Sequence, residues 1–317
     1  MPTVNAEPRT NPREQPRTDL VQVIARAGEV VLGKEPQVRL AIACLLARGH
    51  LLIEDLPGVG KTTLAHVLAK VLGLQFQRIQ FTADLLPADI IGVSIYQTDT
   101  QKFVFHPGPV FSQLVLADEI NRATPKTQSA LLEAMEERQV TADGQTHKLP
   151  QPFFVIATQN PHHLIGTFPL PESQLDRFLM RLEMGYPDRA AERALLKGRD
   201  RREVLESLTP VIHAEELAKL QQLVTRVHVA DPLLDYVQNL LDATRVTGEF
   251  AEGLSPRAGL SLLAASRAWA LLTGRDRVLP EDVQAVAAAV IGHRLRPAAG
   301  GGRAVNLKRL LEAVPIP

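Results

Sequence analysis

Short apolar runs alternate with longer stretches of helical periodicity along the first half of the chain. Unbroken runs of this kind are typical of strands buried on both faces, and the helices between them would cover those faces. The pattern therefore predicts an α/β fold with a mostly parallel five-stranded sheet between helices. The five predicted strands are Leu51–Ile53, Phe76–Phe81, Leu114–Ala117, Phe153–Ala157 and Phe178–Met184.

Two predicted hairpins interrupt this alternation. The first consists of Val93–Gln97 and Lys102–His106 around a polar turn. The second consists of Gln139–Ala142 and Gln145–Leu149 around Asp143-Gly144, a strong signal for a two-residue turn. Both hairpins are additions to the predicted sheet, because the five strands of that sheet are predicted from other segments.

The strand-like runs end before Pro187, and the remaining residues show helical periodicity. We therefore predict a core domain of residues 20–187 and a smaller, all-helical domain of residues 188–317. Residues 1–19 hold four prolines among polar residues and are predicted to be a disordered tail, while the glycine-rich residues 298–302 are predicted to join a last short helix flexibly. The helices predicted in the second domain are Ala190–Lys197, Glu215–Val227, Pro232–Thr244, Pro256–Leu272 and Pro280–Ile291.

Charge and hydropathy narrow the classes of function. Lys plus Arg and Asp plus Glu are both 35, so the formal net charge is +0 and no whole-chain basic field attracts nucleic acid or an anionic membrane. No apolar run approaches the roughly 20 residues that a membrane helix needs, and the first residues contain no signal-peptide core. We therefore expect a cytoplasmic protein without a membrane span. The single Cys44 lies on an apolar helical face, where we expect a packed thiol.

A glycine-rich loop follows the first predicted strand and precedes an amphipathic helix. Gly58 and Gly60 permit a tight turn that presents backbone N–H groups to phosphate oxygens. Lys61 adds a positive charge, and Thr62 adds a hydroxyl for Mg²⁺. The strict phosphate-loop pattern has glycine at the position of Asp55, so the loop departs from the pattern there. The residues predicted to bind a nucleotide are Pro57, Gly58, Val59, Gly60, Lys61, Thr62 and Thr63.

The third predicted strand ends in two adjacent carboxylates, Asp118 and Glu119. Because side chains alternate along a strand, we expect the two to point in different directions and to have different tasks. Asp118 is predicted to hold Mg²⁺, directly or through water, and Glu119 to accept a proton from the attacking water. An acidic loop is the alternative for this pair taken alone, and Lys61 upstream favours the nucleotide site.

Three further polar residues are candidates for the same chemistry. Asn160 follows the fourth predicted strand and is either a turn residue or an amide that orients the attacking water or contacts the terminal phosphate. Arg177 ends a short helix, and it either stays on its own surface or reaches a neighbouring subunit's phosphate as an arginine finger. Arg257 follows Ser255-Pro256, a helix-start signal, and in the first turn it either points towards whatever the helical domain covers or is a solvated charge. His162-His163 have no carboxylate or Cys at ligand spacing and are predicted to be loop residues.

Taken together and in this order, the motifs resemble the MoxR branch of the AAA+ ATPases, from about Val30 to beyond Arg257. So many blocks in one order are highly specific, and the missing glycine at Asp55 counts little beside them. The resemblance implies an AAA+ P-loop core followed by a helical lid domain. The matching blocks are Asp55–Thr62, Leu116–Arg122, Ala130–Glu137, Ala157–Pro161, Leu170–Phe178 and Ser255–Arg257.

The resemblance also assigns a role to each candidate residue. It implies a ring, usually a hexamer, with ATP and Mg²⁺ between subunits. It further implies chaperone-like action on partner proteins, often proteins that carry a von Willebrand A domain. The implied roles are Walker A for Lys61 and Thr62, Walker B for Asp118 and Glu119, sensor 1 for Asn160, arginine finger for Arg177 and sensor 2 for Arg257.

Other functions compete with protein remodelling by an ATP-driven ring. A nucleic-acid-translocating ring would carry Lys or Arg at its hairpin tips, whereas residues 98–102 hold one Lys and one Asp and residues 142–145 hold one Asp. A nucleotide-dependent scaffold would bind ATP without turnover, and the presence of Glu119 argues against it. A magnesium-chelatase-like motor subunit stays open, because it requires a large partner that one chain does not reveal.

Overall fold

A five-stranded parallel sheet forms the centre of the first domain in the structure, a computed structural model that describes residues 15–160, 166–198, 201–298 and 307–316. The strand order across this sheet is β2-β5-β8-β1-β9, and every pair in it is parallel. The strands in chain order are β1 (Leu51–Glu54), β2 (Phe76–Gln80), β3 (Gly92–Gln97), β4 (Lys102–Pro107), β5 (Leu114–Asp118), β6 (Gln139–Ala142), β7 (Gln145–Lys148), β8 (Phe154–Gln159) and β9 (Met180–Leu182).

Burial on both faces explains the unbroken apolar runs. In β5, Leu114 and Leu116 enter one hydrophobic cluster while Val115 and Ala117 enter a second on the opposite face. This division follows from the two-residue period of a strand. Since all five strands are parallel, their carboxyl ends lie at one edge of the sheet and their amino ends at the other. The two edges are called the carboxyl edge and the amino edge below.

Helices cover both faces of the sheet and form the second domain. The first helix begins at Gln15, earlier than the boundary predicted at Leu20, and the turn after it contains Gly33 with φ +68°. The helices in chain order are α1 (Gln15–Val30), α2 (Glu35–Leu46), α3 (Lys61–Val71), α4 (Pro87–Ile91), α5 (Pro125–Glu137), α6 (Glu172–Leu175), α7 (Arg189–Lys197), α8 (Arg201–Ser207), α9 (Ala214–Arg226), α10 (Asp231–Val246), α11 (Pro256–Leu272), α12 (Pro280–Ile291) and α13 (Leu307–Ala313).

Both predicted hairpins are present as separate two-stranded sheets, β3–β4 and β6–β7. The second turns through Asp143 and Gly144, which both have positive φ, as a two-residue hairpin turn requires. The two hairpins touch, because the ring of Phe105 stacks on that of His147 with centroids 4.0 Å apart. They therefore form one unit beside the main sheet.

The second domain is helical, as the periodicity predicts. Its central helix α11 starts at the expected cap, where Ser255 Oγ accepts a hydrogen bond from the Ala258 N–H at 3.2 Å, and it packs on α12, α9 and α2. Helix α8 was not predicted, because its charged segment lacks a clear apolar stripe. No helix among the described residues is both long and apolar enough to cross a membrane.

Some predictions fall outside the described residues. These are the disordered tail over residues 1–14, the loop assignment of His162-His163 and the flexible joint over residues 299–302. The predicted packed thiol lies within them and is confirmed, since Cys44 is fully buried in the core.

Candidate functional site

The glycine-rich loop lies at the carboxyl edge, between the end of β1 and the start of α3. Gly58 and Gly60 have φ of +84° and +94°, in the left-handed region that favours glycine. A Cβ atom at either position would have no other atom within 4 Å, so the glycines are not required by packing. The loop therefore presents its backbone to open space in front of a helix N-terminus, the arrangement that binds phosphate.

Lys61 is the first residue of α3, and its ammonium group turns back towards the sheet. Its side chain is buried, and Nζ donates to the carbonyl oxygen of Asp55 and to Asn160 Oδ1, the latter at 3.0 Å. Burial lowers the pKa of Lys61, while the carboxylates of Asp55, Asp118 and Glu119 act in the opposite direction. The lysine is thus held at the carboxyl edge beside three acidic groups.

Asp118 is the last residue of β5, and its carboxylate is held by two neighbouring strands. Oδ1 accepts a hydrogen bond from Thr158 Oγ1 at 2.6 Å. Oδ2 accepts two from Arg78, at 3.0 Å from Nε and 2.7 Å from Nη2. Charge-assisted bonds of this kind fix the carboxylate in one orientation.

Glu119 adopts a left-handed backbone conformation, with φ +57° and ψ +47°. It therefore lies outside β5, and this turn, rather than the strand alternation we expected, separates its direction from that of Asp118. Its Oε2 accepts hydrogen bonds from Gln80 Nε2 and Arg122 Nη1, both at 2.9 Å. A non-glycine residue in this region is uncommon, and such residues concentrate at functional sites.

Asn160 joins the lysine to the glutamate. It follows β8, which lies between β5 and β1 in the sheet, and its side chain is buried. Oδ1 accepts from Lys61 Nζ at 3.0 Å, and Nδ2 donates to Glu119 Oε1 at 3.1 Å. One neutral amide thus connects the two charged groups that the sequence assigned to phosphate binding and proton transfer.

Arg177 and Arg257 lie at the amino edge instead. Arg177 Nη1 donates to the Leu132 carbonyl oxygen at 2.8 Å and lies 3.1 Å from Glu136 Oε2. Arg257 Nη2 lies 3.1 Å from Glu136 Oε1, and its Nε lies 3.6 Å from Asp176 Oδ2. The structure therefore brings the two arginines to each other, on one carboxylate of α5, and not to the phosphate loop of their own chain.

A cavity of about 330 Å³ opens beside these arginines. Arg48, Arg138 and Arg294 also line it. Arg294 is buried, and its donors are satisfied within the chain. It donates to Asp176 Oδ1 at 2.7 Å and to backbone carbonyls of the same segment, and these bonds hold the helical domain on the core. Unlike Arg294, Arg177 and Arg257 are accessible, with 30% and 52% of their side chains exposed.

Known families and proteins match most of this chain. A model described as the ATPase family associated with various cellular activities (AAA) matches residues 50–180, and an AAA lid domain model matches residues 242–309. The uncharacterised protein YeaC of Bacillus subtilis is 46% identical over 94% of this chain and 95% of its own. Chaperone MoxR1 of Mycobacterium tuberculosis is 41% identical over 87% and 75%, and protein MoxR of Paracoccus denitrificans is 34% identical over 91% and 93%.

This chain belongs to the MoxR family of AAA+ ATPases. The crystal structure of a candidate ATPase from Cytophaga hutchinsonii superposes with a TM-score of 0.85, at 35% identity over 95% of this chain and 94% of that one. The family resemblance and the AAA+ α/β fold with its helical lid are therefore confirmed. The role of each site residue stays a prediction.

Three residues that contact this candidate site were not predicted from the sequence: Arg78, Gln80 and Thr158. Arg78 and Gln80 alternate with the buried Ile79 along the edge strand β2, so they point to the same side and reach Asp118 and Glu119. The signal was present, because two polar residues at i and i+2 on a strand next to the Walker B strand share a face. Thr158 gave no such signal within an apolar run.

Proposed function

We propose that this chain binds ATP with Mg²⁺ at the carboxyl edge and hydrolyses it as one subunit of a ring. The bridge from Lys61 through Asn160 to Glu119 is the observation that carries the proposal. It joins a phosphate-binding lysine to a candidate base through a neutral side chain that adds no charge. The AAA+ family membership supports the same reading, since its members are ATPases.

The residues fit the nucleotide group by group. The loop Pro57–Thr63 offers backbone N–H groups in open space, and Lys61 offers the charge that the outer phosphates need. Thr62 Oγ1 and Asp118 would hold Mg²⁺, directly or through water, since Mg²⁺ prefers oxygen ligands and keeps several waters. The bound metal would neutralise charge that develops on the phosphate oxygens.

Glu119 is proposed to accept the proton of the attacking water. Its carboxylate binds three donors in this structure, namely Gln80, Arg122 and Asn160. These hydrogen bonds orient the carboxylate but also occupy both of its oxygens, and we propose that they rearrange when ATP binds. Loss of one of these hydrogen bonds would leave Oε1 or Oε2 free to accept a proton from the water, and Asn160 would orient that water.

The position of the arginines supports the proposal of a ring. Arg177 and Arg257 occupy the edge opposite the phosphate loop, so we propose that they reach phosphates bound by the next subunit. Both would then act in trans, in a ring that we propose to be a hexamer, the usual assembly that the family resemblance implies. Such a ring would place the nucleotide between two subunits.

The work done by hydrolysis is proposed to be chaperone-like remodelling or activation of a partner protein in the cytoplasm. One relative carries the name chaperone MoxR1, which supports this assignment. A client with a von Willebrand A domain is the partner that the family resemblance suggests. A nucleic-acid-translocating ring would instead show turnover stimulated by DNA with a steep salt dependence.

A Glu119→Gln variant tests the proposal. Loss of the base should lower ATP hydrolysis by about 10²–10⁴-fold, while ATP affinity stays close to that of the parent. The matched control is Glu133→Gln, which removes an exposed carboxylate from α5 and should hydrolyse normally. Co-purification of a client with the ATP-bound variant would support remodelling. Equal turnover in Glu119→Gln and the parent would contradict the assignment and favour a nucleotide-dependent scaffold.

A further inference from the structure

Asp55 stands where the strict phosphate-loop pattern has glycine, and its carboxylate contacts the connection between the two domains. That connection, residues 183–188, runs from the end of β9 to the start of α7 and is called the linker here. Asp55 Oδ2 accepts a hydrogen bond from the Gly185 N–H at 2.6 Å. Oδ1 accepts one from the Leu56 N–H at 2.7 Å, so both oxygens are engaged.

The backbone of Asp55 contacts the nucleotide site at the same time. Its carbonyl oxygen accepts from Lys61 Nζ, the ammonium group that would bind phosphate. Its N–H donates to the Gln159 carbonyl oxygen at 3.2 Å, one residue before Asn160. Asp55 therefore contacts the phosphate lysine through its backbone and the linker through its side chain.

A second contact holds the next residue of the linker. The ammonium group of Lys34, a buried side chain in the turn before α2, donates to the Tyr186 carbonyl oxygen at 2.6 Å. Gly185 itself has φ +63°, so the linker bends sharply between the two contacts. The helical domain leaves the core from a segment held at two adjacent residues.

We propose that Asp55 is a positioning residue that ties the phosphate loop to the linker, so that the helical domain follows nucleotide occupancy. This inference rests on the proposed nucleotide site. When a phosphate binds the Lys61 ammonium group, it replaces the Asp55 carbonyl oxygen as the acceptor of Lys61. The backbone of Asp55 then shifts, and its carboxylate transmits this shift to Gly185. Glycine at this position would offer no acceptor to the linker.

The test is an Asp55→Gly variant, which restores the strict pattern and removes the carboxylate that accepts from Gly185 and Leu56. Spin labels on Lys70→Cys in α3 and Leu196→Cys in α7 report the distance between the domains; both positions are exposed, whereas the native Cys44 is buried. All variants carry Glu119→Gln so that ATP persists. ATP should change the distance in the parent, and Asp55→Gly should bind ATP within about twofold of the parent yet lose that change.

Two further variants locate any failure. Asp55→Asn keeps one acceptor oxygen and should show a reduced distance change, which also decides the matter if Asp55→Gly does not fold. Asp99→Gly removes an exposed carboxylate from the first hairpin turn and should behave as the parent. An unaltered distance change in Asp55→Gly and Asp55→Asn, loss of ATP binding in Asp55→Gly, or no change in the parent would each overturn the inference.

Failure of the proposed nucleotide site gives a different result. Lys61→Ala should lose ATP binding in the same assay. Parent-like ATP affinity in Lys61→Ala would show that the site itself is wrong, whereas loss of binding there together with a normal response in Asp55→Gly would overturn the linker role alone.

Discussion

The carboxyl and amino edges of the sheet hold their charged residues in different ways. At the carboxyl edge, Lys61, Asn160 and Glu119 are linked within the chain by hydrogen bonds of 3.0 and 3.1 Å. At the amino edge, Arg177 and Arg257 share Glu136, a carboxylate whose side chain is 37% exposed. The first arrangement is buried and oriented, while the second is partly exposed and readily exchanged for another anion.

This difference fits a site shared between subunits, in which the carboxyl edge of one chain would meet the amino edge of the next. With the proposed roles, the network at the carboxyl edge would hold Glu119 as the base and Lys61 as the phosphate ligand in a fixed relative position before a nucleotide binds. Ion pairs to the partly exposed Glu136 cost little to break, so in the proposed ring a phosphate of the neighbouring subunit would replace it.

The largest effect is expected from Arg177→Ala. If Arg177 stabilises the transition state from a neighbouring subunit, its loss should lower ATP hydrolysis by about 10³-fold or more, while ATP binding at the intact carboxyl edge stays largely unchanged. Steady-state phosphate release and nucleotide titration measure the two quantities. Arg226→Ala, an exposed arginine at the end of α9, is the control. Normal hydrolysis by Arg177→Ala would mean that the amino edge has no part in the reaction.

A smaller effect concerns two buried histidines at the amino edge. Burial lowers the pKa of His50 to about 4 and that of His293 to about 3. His50 bridges the Val155 N–H at 3.0 Å and the Met135 carbonyl oxygen at 3.3 Å, so it is neutral in the folded chain. Below the ordinary pKa of 6.5 the unfolded chain binds protons that the folded chain does not, so folding stability falls as the pH falls towards 4.

The free energy of unfolding should therefore drop between pH 7 and pH 5 by up to about 2 kcal/mol for each histidine. Urea unfolding at a series of pH values measures this slope. His50→Leu should flatten the slope whatever its effect on stability at pH 7, and the exposed His106→Gln should leave it unchanged. A slope that persists in His50→Leu would assign the acid sensitivity to other groups.

The smallest effect is expected from Glu136→Gln, which removes the charge shared by both arginines. Because these ion pairs are partly exposed, the loss should lower the free energy of unfolding by less than about 1 kcal/mol and leave ATP turnover intact. Thermal unfolding of Glu136→Gln measures this loss, and Glu133→Gln, which removes another exposed carboxylate of α5, is the control. A cost of several kcal/mol would make the arginines structural supports of their own chain, contrary to the contrast between the edges.

The strands were predicted well from the sequence, because strands buried on both faces of the sheet are unbroken apolar runs. The run Leu114–Ala117, for example, is β5 without its last residue. The predicted end at Met184 was too late for β9, which stops at Leu182, because the segment leaves the sheet to form the linker. Local periodicity does not record where a strand loses its neighbour.

Contacts between distant segments were not predictable in the same way. The Asp55 side chain meets Gly185, and Arg257 meets Glu136, across separations that no local pattern encodes. The motif identified Arg177 as a finger candidate, yet only the sheet topology places it at the edge opposite Lys61. Residue chemistry predicts which groups are candidates, whereas the fold determines which of them can meet.

The most direct test of a site shared between subunits mixes two inactive variants. Arg177→Ala subunits keep Glu119, and Glu119→Gln subunits keep Arg177, so an interface between one of each holds a complete site only if Arg177 acts in trans. We predict that mixing the two variants restores ATP hydrolysis that neither shows alone. A mixture that forms mixed rings, verified by co-purification of two tags, and still fails to hydrolyse ATP would contradict the shared site.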